Sequence, residues 1–371
     1  MTTPLSAIQH DDPYPYYAGL TAERPFAFDA EIGAWAAAGA EAVQAAFDAP
    51  GLRVRPSGNE VPAPIADTAA GEVFGQLVRM RDDAAAAELK SALVTVLSKT
   101  APEAVAEAAR IAAREALERG LDYRELAFGV PVAAVASLSG VPAADVRRSV
   151  ALTAAFVRCI PASATADDHA AASDAAAELQ PLLARAAEGD GLAARLAETA
   201  AAHRVPRRTA LANAVGVLSQ TYDATAGLVG ATLLALGRHE RGDDLRAFVE
   251  EVARHDAPIQ NTRRFAHEPW THAGQTVDTG QTVLLVLAAA NRDPAVNPDP
   301  HDFDPARPQP VSFTFGSGRH GCPGRAVAVE IAAAIVAEAE AAGWTPRDLP
   351  QRHRYLPSPN ARIPVLEGSG A

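Results

Sequence analysis

The sequence contains few of the features that mark secreted or membrane proteins. Only two cysteines, Cys159 and Cys322, occur among 371 residues. Two cysteines so far apart do not form a disulfide framework, so a reducing compartment is expected. No apolar run is long enough to span a membrane, and the first residues lack the basic and apolar parts of a signal peptide. We therefore expect a soluble, cytoplasmic protein.

Positive charge is also scarce. The chain carries 45 acidic against 33 basic side chains, which gives a formal net charge of -12. Because phosphate binding needs clustered Lys and Arg, this balance argues against nucleic acid as the main partner. Apolar residues make up 48% of the chain, which suffices for a large buried core.

The pattern of apolar residues predicts a mainly α fold with a small β portion. Helical spacing runs from about residue 68 to residue 236. Its longest stretch, Arg207–Leu236, is apolar on nearly all sides, as a central buried helix would be. Short segments rich in β-branched or aromatic residues predict strands at Pro25–Phe28, Ile32–Trp35, Ile259–Phe265 and Gln281–Leu287. We expect one domain over residues 1–371.

Cys322 stands in a glycine-rich segment near the end of the chain. Residues 313–325 read Phe-Thr-Phe-Gly-Ser-Gly-Arg-His-Gly-Cys-Pro-Gly-Arg. Glycines permit left-handed turns and let a backbone approach a flat ligand closely. Pro323 suits the first turn of a following helix, whose positive N-terminal end would stabilise a thiolate. This setting favours an axial iron ligand over the alternative, a small buried hydrophobic residue.

The segment resembles the haem-binding signature of the cytochrome P450 family. The signature Phe-x-x-Gly-x-x-x-Cys-x-Gly falls on Phe315, Gly318, Cys322 and Gly324. The resemblance implies a cytochrome P450-like single haem domain with a long central helix, and haem b held by the Cys322 thiolate. It also implies haem contacts at Phe315, Gly316, Gly324, His320, Arg264 and Lys90.

Basic residues in family-like positions are expected to bind the haem propionates. Arg264 is the better match in its segment, with Arg263 as the alternative, and His320 stands where many bacterial members place a propionate contact. Lys90 occupies a usual Arg or Lys position, but Ala86 replaces the usual His. A guanidinium fork suits a carboxylate well.

A second resemblance lies in Glu251 and Arg254, which form a Glu-x-x-Arg motif about seventy residues before the cysteine. Residues three apart on a helix share a face and form an ion pair. The resemblance implies that Arg307 completes a triad with them. That triad is structural in the family, so we assign it no chemistry.

The central helix departs from the family pattern. Asp223 keeps the family's acid, but Ala224 replaces the threonine whose hydroxyl helps to deliver protons. Thr225 lies roughly 100° further around the helix, which disfavours a direct substitution. Gln220 lies one turn before Ala224, so its amide either holds a water or substrate group or simply packs locally. We expect Asp223, Gln220 and Thr225 to shape the oxygen side of the haem.

Three proton or electron routes fit an alanine at this place: a substrate hydroxyl or ordered water carries protons, a one-electron route is used, or peroxide is used. The leading hypothesis is a monooxygenase acting on a small molecule, expected to be a secondary metabolite. Ferredoxin and ferredoxin reductase would supply electrons, since the chain shows no flavin or iron–sulfur domain. The alternatives are oxidative coupling or cyclisation without oxygen insertion, and a non-catalytic haem-binding protein.

Overall fold

The computed structural model describes residues 2–120, 122–344 and 353–366. Within them the α-helices are α1 (Tyr14–Glu23), α2 (Ala40–Asp48), α3 (Ala69–Gln76), α4 (Ala84–Ser98), α5 (Pro102–Glu118), α6 (Val130–Leu138), α7 (Ala143–Val157), α8 (Ala166–Ala186), α9 (Leu192–Ala202), α10 (Arg207–Leu236), α11 (Leu245–His255), α12 (Leu287–Ala290) and α13 (Arg325–Ala341). The strands are β1 (Phe26–Asp29), β2 (Ala34–Ala37), β3 (Leu52–Arg53), β4 (Thr262–Ala266), β5 (Trp270–His272), β6 (Gln275–Val277), β7 (Thr282–Leu285), β8 (His353–Tyr355) and β9 (Pro364–Leu366).

The chain divides into two compact units. The first unit combines residues 1–58, 227–322 and 344–371, and the second combines residues 59–226 and 323–343. Helix α10 begins in the second unit and ends in the first. The single haem domain expected from the sequence stays a prediction.

The first unit holds all the described strands. Its main sheet has the strand order β1-β2-β7-β4-β3. β2 pairs with β7 in parallel, and the other neighbours are antiparallel. The sheet and α2 share a core that includes Phe26, Phe47, Val283, Leu285 and Phe313. This core fixes the sheet against the helix that carries one side of the cysteine turn.

The second unit is a helical bundle in its described residues. Side chains at the starts of two helices accept hydrogen bonds from the first-turn amides. Asp83 caps α4 by accepting from the amide of Ala86 at 2.8 Å, and Thr165 caps α8 in a capping box. Pro102 occupies the first turn of α5. Helix α5 packs on α6 and α13, and α4 packs on α9.

The mainly α prediction with a small β portion is confirmed. Helix α10 has the predicted bounds, and the paired strands β1 and β2 lie where two were expected. One detail is corrected: Pro323 does not lie in the first turn of α13, because the helix begins after its N-cap, Gly324. In the described part of the chain, no helix is long and apolar enough to cross a membrane.

Candidate functional site

Cys322 lies exposed at the end of a tight turn in the first unit. Its amide donates to the carbonyl oxygen of Phe315 at 2.6 Å, and the amide of Gly316 donates to the carbonyl oxygen of Phe313 at 2.7 Å. Gly316 has a φ of +70°, and a Cβ added there would lie 3.0 Å from the carbonyl oxygen of His320. Only glycine therefore fits this position without strain. The turn holds the cysteine by its backbone and leaves the side chain accessible.

Helix α2 and the residues after it anchor one side of this turn. The Ser317 hydroxyl donates to Oε1 of Gln44 at 3.0 Å. The Arg319 guanidinium donates to the carbonyl oxygens of Ala49 and Leu52 at 3.1 and 2.8 Å. The sequence did not indicate these roles, because the partners lie some 270 residues earlier in the chain.

A buried amide anchors the segment that enters the turn. Asn291 is fully buried, and its Oδ1 accepts from the amide of Phe313 at 2.6 Å. Its Nδ2 donates to the Thr314 hydroxyl at 2.8 Å, and that hydroxyl donates to the carbonyl oxygen of Ala253 at 2.5 Å. A polar side chain buried among this many partners fixes one backbone path.

The expected Glu251–Arg254–Arg307 triad is present and buried. Arg254 Nε and Nη2 donate to the two carboxylate oxygens of Glu251 at 2.8 and 2.6 Å. Arg307 Nε lies 3.7 Å from Glu251 Oε1. Arg254 also donates to three backbone carbonyl oxygens of the 291–302 segment. The triad therefore ties α11 to the coil that precedes the cysteine turn.

Two of the predicted propionate ligands lie in the same unit as Cys322. Arg264 on β4 is 3% exposed. Its guanidinium lies 5.0 Å from the centre of the Phe47 ring, and its Nη1 donates to the carbonyl oxygen of Arg263 at 2.8 Å. Arg263 alternates with Arg264 along the strand and is exposed. His320 is half-buried in the turn itself. Their role toward haem remains a prediction.

The predicted site residues of α4 and α10 lie in the second unit. On α10, Gln220 and Asp223 are exposed, whereas Thr225 is 2% exposed. This agrees with the different direction expected for Thr225. Gln220 Nε2 donates to the Gly216 carbonyl oxygen of its own helix at 3.0 Å. Lys90 is half-buried on α4. The catalytic and binding roles of these residues remain predictions.

The surroundings of Asp223 are unusual for an accessible carboxylate. Nearby protein atoms reduce its hydration and raise its pKa, while the positive charge of Arg79 acts in the opposite direction. Sequence reasoning missed Arg79, which lies 144 positions before Asp223 and carries no motif of its own.

The residues of the first unit fit a haem. Cys322 offers an accessible sulfur, and sulfur as thiolate is an established iron donor. The turn around it has no room for a Cβ at Gly316. Arg264 and His320 offer cationic or hydrogen-bonding groups for carboxylates. An exposed thiol donor, a glycine turn and basic side chains are together what a haem with one sulfur ligand requires.

Comparisons with known proteins agree with this geometry. The family model "Cytochrome P450" matches residues 245–337. Cytochrome P450 monooxygenase PikC of Streptomyces venezuelae is 32% identical over 222 residues, covering 55% of this chain and 51% of that protein. Vitamin D(3) 25-hydroxylase of Pseudonocardia autotrophica is 33% identical over 218 residues, covering 55% of this chain and 53% of that protein. The chain thus spans about half the length of these curated relatives in the matched segments.

Solved structures match over nearly the whole chain. The crystal structure of CalO2 has a TM-score of 0.81 at 25% identity and covers 96% of this chain and 94% of that one. Epothilone B-bound cytochrome P450epoK has a TM-score of 0.83 at 20% identity, and the match covers 99% of this chain and 98% of that one. The second match is evidence for the fold alone.

The fold and the cysteine turn define the class of haem-thiolate proteins, in which a cysteine sulfur holds the iron. The chain is similar to bacterial members of the cytochrome P450 family.

Proposed function

We propose that this chain is a monooxygenase that oxidises a small molecule, expected to be a secondary metabolite, in the cytoplasm. Ferredoxin and ferredoxin reductase would supply the electrons. The observation that carries the proposal is the accessible Cys322, fixed by its backbone in a glycine turn. The name of PikC as a monooxygenase supports the reaction class.

Haem, when bound, supplies the oxygen and one-electron chemistry, and the protein supplies binding and electrostatics. Cys322 gives its sulfur as the anionic donor, a form that the iron requires. Arg264, His320 and Lys90 would bind the two propionates. Phe315, Gly316 and Gly324 provide the close backbone approach.

On α10, the Asp223 carboxylate takes up and releases a proton. Because Ala224 has no hydroxyl, a substrate hydroxyl or an ordered water completes the path from that carboxylate. Gln220 Oε1 holds this group in place, since its Nε2 is committed to the Gly216 carbonyl oxygen at 3.0 Å. Thr225, which is buried, contributes by supporting the helix turn.

The test is turnover of the haem-loaded protein with a surrogate ferredoxin and its reductase, against small molecules that shift the haem absorption spectrum. We expect isotope-labelled dioxygen to place one labelled oxygen in the product. Cys322→Ser should abolish product, and the matched Cys159→Ser should retain it. A haem-loaded protein that consumes no electrons with any substrate would contradict the proposal and would favour the non-catalytic haem-binding alternative.

Ala224 favours a second candidate, oxidative coupling or cyclisation without oxygen insertion. A missing hydroxyl matters less to a one-electron route than to oxygen insertion. This candidate predicts a product with new carbon–carbon or carbon–oxygen bonds and no label from dioxygen, under the same turnover conditions.

A further inference from the structure

Arg79 is a buried cation whose hydrogen-bond donors are unused. It lies in the single 3-10 turn Val78–Met80, between α3 and α4. Its Nε is buried, and its guanidinium makes no hydrogen bond or ion pair with residues 2–120, 122–344 or 353–366. A guanidinium stays charged at all ordinary pH, and a buried charge without a partner is costly. The donors of Arg79 are therefore available to an anionic ligand.

Other buried arginines of the described chain differ from Arg79 in this respect. Arg362 donates to three backbone carbonyl oxygens and to the carboxylate of Asp256. Arg292 Nε donates to the carbonyl oxygen of His255 at 2.8 Å. Those two arginines serve the fold, because the protein itself occupies their donors. Arg79 has no such structural role for its guanidinium.

A polar clamp nevertheless fixes the backbone of Arg79 against α10. Asn213 Oδ1 accepts from the amide of Val78 at 2.9 Å, and Asn213 Nδ2 donates to the carbonyl oxygen of Gln76 at 2.7 Å. The Thr209 hydroxyl donates to Gln76 Oε1 at 2.7 Å. Asn213 is 1% exposed and Thr209 is 5% exposed. A buried and satisfied clamp holds one backbone path, so the origin of the Arg79 side chain is fixed before any ligand binds.

The clamped segment runs next to the part of α10 that the proposed function uses. A Cβ added at Gly216 would lie 2.7 Å from Cδ2 of Leu77 and 3.3 Å from Nε2 of Gln220. Leu77 therefore packs one helical turn before Gln220, and Arg79 follows Leu77 by two residues. No hydrogen bond joins Arg79 to Asp223, the exposed carboxylate further along the helix.

The geometry of a guanidinium selects the kind of anion. Nε–H and one Nη–H form a planar fork that matches the two oxygens of a carboxylate. One carboxylate also balances the single charge of Arg79. A phosphate dianion would add a second negative charge on the side of α10 that carries Asp223, where like charges repel. A carboxylate is thus the ligand that best fits the unused donors.

We propose that Arg79 is a specificity-determining residue that binds a carboxylate group of the substrate, so the small molecule that this chain oxidises is an organic acid. The inference rests on the proposed function, in which the chain oxidises a small molecule. It names the chemical class of that molecule and the side chain that selects it.

The test compares each of several organic acids with its own amide, so that only the charge of the ligand changes. The probes are octanoate, dodecanoate, phenylacetate and benzoate, each paired with its primary amide. Dissociation constants for the haem-loaded protein are measured by calorimetry, which requires no turnover. We expect at least one acid to bind the unmodified chain about ten- to hundredfold more tightly than its amide, the size typical of hydrogen bonds to a charged group.

The variants Arg79→Gln and Arg79→Met should lose this preference and bind acid and amide alike, whereas Arg79→Lys should keep part of it, because it keeps the charge and loses the fork. Two neutral variants are used since either one alone could disturb folding. Arg81 provides the matched control: it forms a surface ion pair with Asp83 at 2.7 Å and donates to Gln76 of the clamp at 3.4 Å. Arg81→Gln should therefore retain the preference even if it disturbs the clamp.

The proposal is overturned if no acid binds the unmodified chain more tightly than its amide, or if the preference persists in both neutral variants. A haem propionate is the other carboxylate that could reach Arg79, and haem transfer to apomyoglobin separates the two sources. Faster haem loss from Arg79→Gln than from Arg81→Gln, with the preference for acids intact, would assign Arg79 to a propionate and refute the proposal. Turnover of neutral molecules without any preference for acids would refute this inference and leave the proposed function standing.

Discussion

The buried ion pair of α11 gives the sharpest stability prediction. Arg254 is 0% exposed and makes two hydrogen bonds to Glu251. Its remaining N–H groups donate to the carbonyl oxygens of Asn291, Pro300 and Asp302 at 3.3, 2.9 and 3.0 Å. Arg254→Met keeps much of the side-chain volume and removes every one of these donors.

The magnitude follows from what the substitution leaves behind. The Glu251 carboxylate, 3% exposed, would keep only the amide of Asp304 at 2.9 Å and the Arg307 guanidinium at 3.7 Å. Three backbone carbonyls would lose a charged donor. Removing one partner of a buried pair costs about 3–5 kcal/mol of the free energy of unfolding, and we expect Arg254→Met to lie in that range.

The assay is urea unfolding followed by circular dichroism. The control is Arg148→Met, because Arg148 pairs with Glu178 between two exposed side chains, and such pairs contribute little. We expect the control to have the same urea midpoint as the unmodified chain. If Arg254→Met also reduced the free energy of unfolding by less than about 1 kcal/mol, the view that the triad holds the 291–302 coil in place would be refuted.

Two further predictions concern pH and the turn. Burial and the Arg292 charge lower the pKa of His255 from 6.5 to about 3, so the unfolded chain binds a proton that the folded one does not. The free energy of unfolding is then highest above about pH 6.5 and falls by roughly 2 kcal/mol by about pH 5. Urea midpoints should show this fall, and His255→Gln should lack it; an equal fall in both would contradict the assignment. Gly316→Ala and Gly274→Ala both place alanine at a positive φ, but only at Gly316 would the Cβ meet backbone, 3.0 Å from the carbonyl oxygen of His320. Both should lose about 1–2 kcal/mol, and only Gly316→Ala should alter the haem absorption spectrum; matching spectra would contradict the role of the turn.

The sequence predicts well those features that local patterns determine. Helix α10 has the expected bounds because Pro206 precedes it and no proline interrupts the largely apolar stretch that runs to Leu236. Strands β1 and β2 lie near the expected segments because short apolar stretches that contain aromatic residues suit strands. The start of α13 was misjudged because Pro323 suits both a helix and the turn before one.

Long-range contacts account for what the sequence left out. Asn291 and Arg319 fix the cysteine turn through partners far away in the chain. Such pairs have no spacing that a single sequence reveals, since folding of the whole unit brings them together. Cys322 could be predicted as the ligand because the glycines and the proline around it are neighbours along the chain.

The identity of the iron ligand tests the central claim most directly. The measurement is the absorption spectrum of haem-loaded, reduced protein under carbon monoxide, for the unmodified chain, Cys322→Ser and Cys159→Ser. We predict the red-shifted band of a sulfur-ligated ferrous centre in the unmodified chain and in Cys159→Ser, and its loss in Cys322→Ser. An unmodified chain without this band, or a band that survives in Cys322→Ser, would contradict the account.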